Sequence, residues 1–275
     1  MPVLPHRQAV QDTTNREYAR CHRIPGPISV VTATEAMGSW DVMASYRSIL
    51  STDAPPAFAF IDPPFDFNSA TVSKFPPEVT GSLVLRSLCR RLGWESLSGK
   101  RLLDFGCGVR FARTLVNLGM EIGTYAGVDV NADAIGWLQA HVADPRFRFH
   151  RLDMKNHLFN PDGGMVQADT LRHFGLTEFD AACMFSVITH QDPDDTRMIL
   201  RMLRACVVTH GQLYFTAFID ESVDQYAEKY IEKRSAWCNY NPDYLVDLAR
   251  EEGWAVQTLY PGSELHQPAF VCRRM

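Results

Sequence analysis

A chain of 275 residues, 46% hydrophobic and 21% charged, has an ordinary globular composition and enough length for one large core, or one core with a small cap. Its formal charge of −5 supplies no basic field for a phosphate backbone, so nucleic acid is not an expected partner. No apolar run approaches the ~20 residues that cross a bilayer, "MPVLPHRQAV" lacks the apolar centre of a leader, and seven scattered cysteines form no C-x-x-C pair, so a soluble cytoplasmic protein with free thiols and no membrane partner is expected.

Residues 1–33 hold four prolines and no sustained period, which reads as an irregular arm. Residues 34–50 follow as a short amphipathic helix capped by Thr34, with Met37, Trp40, Met43 and Ile49 toward one side. The proline-rich stretch 53–77 is an extended loop, and 79–94 a helix presenting Leu85, Leu88, Cys89 and Leu92 on one face. Residues 1–78 thus form an arm with a helical extension, and 79–275 the main domain.

From residue 101 short apolar runs alternate with amphipathic helices, the pattern of a parallel sheet with crossovers. Seven strands are expected, in "RLLDF", "YAGVDV", "FRFHRL", "FDAACMF", "QLYFTAF", "WAVQTLY" and "AFVCRR". Asn131, Asp192 with Pro193, and Asn241 with Pro242 open helices, and Gly253 closes the last one. Only "PGSELHQP" separates the final two strands, too little for a helical crossover, so they form an antiparallel hairpin at the sheet edge. The fold class is α/β, a Rossmann-like doubly wound seven-stranded sheet. Residues 220–240, of mixed charge over 220–237, are expected as a small helical cap or lid over the C-terminal strand ends.

Between the first strand and its helix stands "DFGCGVRF". Gly106 and Gly108 let backbone approach a ligand, and the helix that follows offers open amides. A dinucleotide loop needs Gly or Ala where this chain has Phe111, which disfavours a nicotinamide-dependent oxidoreductase. Asp104, two residues before Gly106, would repel a pyrophosphate but suits a cationic amino group. Asp129, ending "YAGVDV", can accept from vicinal ribose hydroxyls or cap the helix starting near Asn131. Asp153 can accept from an adenine amino group.

Together "LLDFGCG", "GVDV", "RLDM" and "FDAACMFSVITHQDPDD" resemble the successive motifs of class I S-adenosylmethionine-dependent methyltransferases over residues 79–275. The resemblance implies a methyl transfer from S-adenosyl-L-methionine, with Asp104, Gly106 and Gly108 around the methionine part, Asp129 at the ribose and Asp153 near adenine. Val130, Met154 and Phe185 complete the expected cofactor contacts. The family usually has a third glycine where this chain has Arg110. A cation at a helix N-terminus opposes the macrodipole by a few tenths to ~1 kcal/mol unless an anion offsets it. Arg110 either pairs with the ligand's carboxylate or points to solvent or a nearby acid.

The acceptor is expected to be a small molecule such as a sugar, lipid or secondary metabolite, methylated on a hydroxyl; a silent S-adenosylmethionine-binding module is the alternative. His190, after the fourth strand, is the candidate catalytic base, since an imidazole with an ordinary pKa near ~6.5 accepts protons around neutral pH. A purely loop-shaping role is its alternative, and Asp192 either orients it or caps the helix. Aromatics of the cap (Tyr226, Tyr230, Trp237, Tyr240) are expected to face the acceptor or to pack the cap; Tyr230 and Tyr240 are the substrate candidates, with Phe65 of "DPPF". That tetrapeptide has the form by which amino-methyltransferases hold a flipped base, but "FSVITH" already occupies the place after the fourth strand, leaving Phe65 as a loop aromatic beside the pocket. No metal site is expected, because no H-E-x-x-H or Cys/His cluster occurs, and no motif indicates an oligomeric state.

Overall fold

The computed structural model describes residues 29–30 (backbone), 61, 77–156, 159–229, 237–262 and 267–275. The expected helix over 34–50, most of the proline-rich loop including Phe65, and Tyr230 lie outside the described residues. The elements are β1 (Ser29–Val30), α1 (Pro77–Leu92), β2 (Arg101–Phe105), α2 (Arg110–Asn117), β3 (Thr124–Asp129), α3 (Ala132–His141), β4 (Phe147–Arg151), α4 (Thr170–His173), β5 (Phe179–Met184), α5 (Pro193–Cys206), β6 (Val207–Thr216), β7 (Phe218–Ile219), β8 (Tyr226–Lys229), β9 (Trp237–Tyr240), α6 (Pro242–Glu251), β10 (Trp254–Tyr260) and β11 (Ala269–Arg274).

All seven expected strands form, in the order β10-β11-β6-β5-β2-β3-β4. Strands β2 to β6 run parallel, while β11 is antiparallel to both β10 and β6, so the terminal hairpin is present. The arm expected to be irregular contributes β1, which lies parallel to β10 and extends the sheet to eight strands. Three of the expected helix starts are capped as the sequence indicates: Asn131 accepts from Ala134 N at 3.0 Å, Asp192 from Asp195 N at 2.8 Å, and Asn241 from the amides of Asp243 and Tyr244. Such caps contribute ~1 kcal/mol each.

Strand periodicity divides the interior into two cores. Leu102, Tyr125, Ala181, Cys183 and Tyr214 face α1, α2 and α3 together with Leu85, Leu115 and Leu138. Leu103, Phe105, Ala182, Met184 and Phe215 face α4, α5 and α6 together with Leu171, Leu203 and Leu248. Parallel strands covered on both faces must be apolar throughout, which is why their runs were continuous in the sequence.

The cap is a correction. Where a helix was expected over 220–237, β7, β9 and β8 form a three-stranded sheet, β9 parallel to β7 and antiparallel to β8. The cross-strand pairing of Tyr226 with Tyr240, rings 5.3 Å apart, and the antiparallel register that continues to Lys229 opposite Trp237 favour extended chain over helix. Mixed charge alone had suggested the helix.

Helix α1 ends two residues earlier than expected because Gly93 adopts φ +70°, with Trp94 N donating to Cys89 O at 2.8 Å. The helix lies tight against α2: a Cβ on Gly81 would stand 2.0 Å from Thr114 Oγ1. Glu78 pairs with Arg113 and accepts from Asn117 Nδ2 at 2.9 Å, closing the same seam. Gly81→Ala should therefore lower the melting temperature: overpacking costs ~1–3 kcal/mol and outweighs a helix-propensity gain of at most ~1 kcal/mol. Adding Thr114→Ala should recover part of the loss, and a rise in Tm for the single variant would contradict the seam.

Candidate functional site

The glycine turn leaves β2 at the C-terminal edge of the sheet. Gly106 N and Cys107 N both donate to Val128 O, at 2.7 and 3.1 Å, which folds the turn back onto β3. Gly106 has φ +74°, and a Cβ there would meet Val187 Cγ2 at 2.4 Å, so only glycine lets the turn after β5 come this close. Gly108, at φ +47°, would place a Cβ in open space, so its face is accessible. Helix α2 starts beside it with neither a side-chain cap nor an acid in its first turn, leaving the positive end of its dipole open.

Asp129 ties two segments together: Oδ2 accepts from Gly108 N at 2.8 Å and Oδ1 from Asn131 N at 2.9 Å. The capping of α3 itself belongs to Asn131. Val130 packs, half-buried, against the α4–α6 core. Asp153 is exposed, pairs with Arg151 at 3.0 Å and accepts from Asn160 at 3.1 Å, while the neighbouring Met154 is buried and bridges to Gly164. Phe185 stands edge-on to Phe111, centroids 5.0 Å apart, and against Tyr214 at 5.1 Å. Phe111, the residue that breaks the dinucleotide pattern, is itself a buried core side chain.

Asp104 lies beneath the turn on the α1–α3 face, fully enclosed. It accepts from Tyr125 Oη at 2.6 Å and from Cys183 Sγ at 3.5 Å. Burial pushes its carboxyl up to about 7, against the opposing hydrogen bonds of Tyr125 and Cys183; Asp129 adds to the rise and Arg110 reduces it. Arg110, the first residue of α2, is half-buried, and desolvation lowers its pKa while Asp104 raises it. Sequence reasoning missed Tyr125. Its signal was the register of β2 and β3, which sets Tyr125 opposite Leu102 and so diagonal to Asp104.

Past β5 the chain turns sharply at Ser186, φ +59°, whose N donates to Thr216 Oγ1 at 2.9 Å and whose hydroxyl donates to Gln267 at 3.1 Å. A 3₁₀ turn, Ile188–His190, follows. The His190 ring is half-buried and lies edge-to-face between Phe159, at 6.0 Å, and Trp237, at 6.4 Å. Trp237 in turn stacks on Phe218 at 4.9 Å. Asp192 is the α5 cap. Tyr240, expected at the acceptor, is instead fully buried, donating to Gln191 O at 2.7 Å and bonded to Thr196 at 2.9 Å. Tyr226 donates to Glu228 at 2.7 Å. Phe159 and Phe218 carry no sequence motif; only the fold brings Phe159 to His190 and Phe218 behind Trp237.

The profile of a methyltransferase-domain family matches residues 81–259. Among solved structures, the chain is similar to the 1,6-didemethyltoxoflavin-N1-methyltransferase of Burkholderia thailandensis, with 16% identity, a TM-score of 0.48, and coverage of 84% of this chain and 90% of that one. It is also similar to an amino pentose methyltransferase from Micromonospora echinaspora involved in calicheamicin biosynthesis, with 13% identity, a TM-score of 0.49, and coverage of 74% and 93%. A third similar structure is the pyocyanin biosynthetic protein PhzM, with 16% identity, a TM-score of 0.47 and coverage of 72% of this chain; the match spans 56% of that longer chain.

The raised Asp104 carboxyl makes stability depend on pH. The folded protein holds this proton more tightly than the unfolded chain does, so the group's contribution is complete below the unfolded value near ~3.9 and is lost as pH rises through about 7. Asp104→Asn removes the titration and should flatten that slope. From pH 5 to pH 8, urea-derived stability should fall further in the natural protein than in the variant, by on the order of 1 kcal/mol or more. Equal slopes would contradict the burial of a protonated Asp104.

Proposed function

Since the chain belongs to the S-adenosylmethionine-dependent methyltransferase family, we propose that it methylates a hydroxyl on a small molecule, with the glycine turn holding the cofactor and His190 acting as base. The observation that carries this reading is the close approach of Val187 to Gly106. It brings the turn bearing His190 against the loop on which the open face of Gly108 and the α2 N-terminus lie. Net negative charge agrees with a small acceptor better than with a nucleic acid, and no described helix is long and apolar enough to cross a membrane.

The residues present fit the cofactor. The uncluttered side of Gly108 admits a ligand close to backbone, which a side chain there would obstruct. Each oxygen of Asp129 uses one lone pair on an amide and keeps another for a ribose hydroxyl. Asp153, exposed at the end of β4, retains acceptor capacity for an adenine amino group. Half-buried Val130 and Phe185 supply apolar surface, Asp104 supports an ammonium group from beneath the turn, and Arg110 faces a carboxylate. When bound, S-adenosylmethionine supplies a methyl group on a sulfonium, open to in-line displacement. His190 receives the acceptor's proton, and the aromatic side chains around it exclude water.

The test is to incubate the protein with labelled S-adenosylmethionine and metabolite extract from its source: a labelled methyl ether of a small molecule is expected, and labelled nitrogen or macromolecule would overturn the reading. Asp129→Ala should weaken S-adenosylhomocysteine by tenfold or more in calorimetry, because ribose hydroxyl bonds contribute ~1 kcal/mol or more each. The same variant should melt somewhat earlier, as the Gly108 and Asn131 amides lose their acceptor. A lower melting temperature with unchanged affinity would confine Asp129 to the loop. His190→Ala, assayed with the acceptor so identified, should lower turnover by roughly 10²-fold or more with cofactor affinity nearly unchanged. The acidic limb of the pH–rate profile should vanish with it; its retention in an active variant would exclude His190 as the base.

A further inference from the structure

Four large hydrophobic side chains among the described residues are exposed: Phe159, Met165, Trp237 and Met275. The two aromatic ones both flank His190. Phe159, 60% exposed, comes from the loop after β4; Trp237, 45% exposed, opens β9; the imidazole they share lies on the turn after β5. Two segments remote in sequence therefore bring aromatic side chains to an imidazole carried on a third. Exposed apolar surface concentrated at such a point marks a binding site more often than a packing defect.

From this we infer that the acceptor is a hydroxylated planar aromatic ring, a phenol in the broad sense, seated against Phe159 and Trp237 with its hydroxyl at His190. The inference rests on the methyltransferase reading and names its substrate class. Ring geometry is the first reason. The imidazole meets Phe159 at 82° and Trp237 at 62°, and Phe218 backs Trp237 at 23°, so the indole is braced by a stacked neighbour and presents a fixed aromatic surface. Aromatic surfaces orient a planar ring through its quadrupole, face or edge, whereas an aliphatic chain gains burial without orientation. Acidity is the second reason. A phenolic hydroxyl ordinarily titrates near ~10, while an aliphatic one, like water, releases its proton only far above that. An imidazole, ordinarily near ~6.5, is far better matched to the first.

The transfer balances without a further reactant. The acceptor oxygen forms its bond to the methyl carbon as that carbon's bond to sulfur breaks and sulfur keeps the pair; His190 takes the hydroxyl proton and releases it to solvent.

The experiment is calorimetric titration of the S-adenosylhomocysteine-loaded protein with 1-naphthol and with its saturated counterpart, decahydro-1-naphthol. 1-Naphthol should bind about tenfold or more tightly than the saturated alcohol. Phe159→Ala and Trp237→Ala should each weaken 1-naphthol by about fivefold or more, while Trp237→Phe retains most of the affinity. Both side chains are exposed, so the variants should fold, with S-adenosylhomocysteine affinity within about twofold as the check. Equal binding of the two alcohols, unchanged 1-naphthol affinity in both alanine variants, or no saturable binding of 1-naphthol up to millimolar concentration would overturn the inference while leaving the methyltransferase reading intact. Failure of S-adenosylhomocysteine itself to bind would instead remove that reading, and this inference with it.

Discussion

The contact between Gly106 and Val187 is the constraint on which the rest of the sheet edge depends. Two turns, after β2 and after β5, leave adjacent parallel strands at the same end, and they can touch only because one of them carries no Cβ. The β5 side is held by bonds that compensate its strain: Ser186, in the left-handed region, is anchored by Thr216 and Gln267, and Thr189 Oγ1 donates to Ser186 O at 2.7 Å. The β2 side is held by Val128 O and by the carboxylate of Asp129. Fixing both turns fixes the separation between the open face of Gly108 and the turn that carries His190. This end of the site is thereby positioned by strand ends and short turns.

Packing behind this edge serves the same end. Phe111 and Phe185 meet edge-on across the turn, Phe185 leans on Tyr214, and Tyr214 Oη accepts from Arg91 of α1 at 2.6 Å. Arg91 also lies over the Tyr260 ring, 4.5 Å from its centroid, so α1 is linked to β6 and to the terminal hairpin at once. The close approach of α1 to α2 then carries that support to the helix that begins beside the glycine turn. A phenylalanine at the position where a dinucleotide loop keeps a small residue is thus part of a continuous aromatic path.

Much of this was legible locally. Strands β2 to β6 announced themselves as apolar runs of strand length, and Asn131, Asp192 and Asn241 announced helix starts, because capping depends on neighbours three residues away. The hairpin followed from the shortness of the segment between β10 and β11. What was not legible depends on neighbours remote in sequence. Tyr240 is an aromatic just past a mixed-charge tract, and nothing near it in the chain says that its hydroxyl will be claimed by Gln191 and Thr196 rather than by a ligand. Phe159 and His190 lie 31 positions apart, and the loop after β4 had no period from which its direction could be read. The cap escaped for a related reason: a strand of four residues offers two alternations at most, too few to stand out against a helical reading.

Arg110 shows how a local cost is offset by the tertiary fold. Taken alone, a guanidinium on the first residue of α2 opposes the helix dipole where a third glycine would have been neutral. In the folded chain Asp104 lies below it, and the two act on each other in the expected sense: the acid raises the pKa of the guanidinium, and the guanidinium reduces the rise that burial imposes on the acid. The pair also has a polarity. A cation stands at the helix end and an acid on the preceding strand beneath the turn, with the open side of Gly108 beside them. In the site proposed above, an amino-acid zwitterion would match that polarity with its carboxylate toward Arg110 and its ammonium toward Asp104. An ammonium so placed would favour the ionised form of a carboxyl that burial pushes upward, opposing that rise in the same sense as Arg110 does.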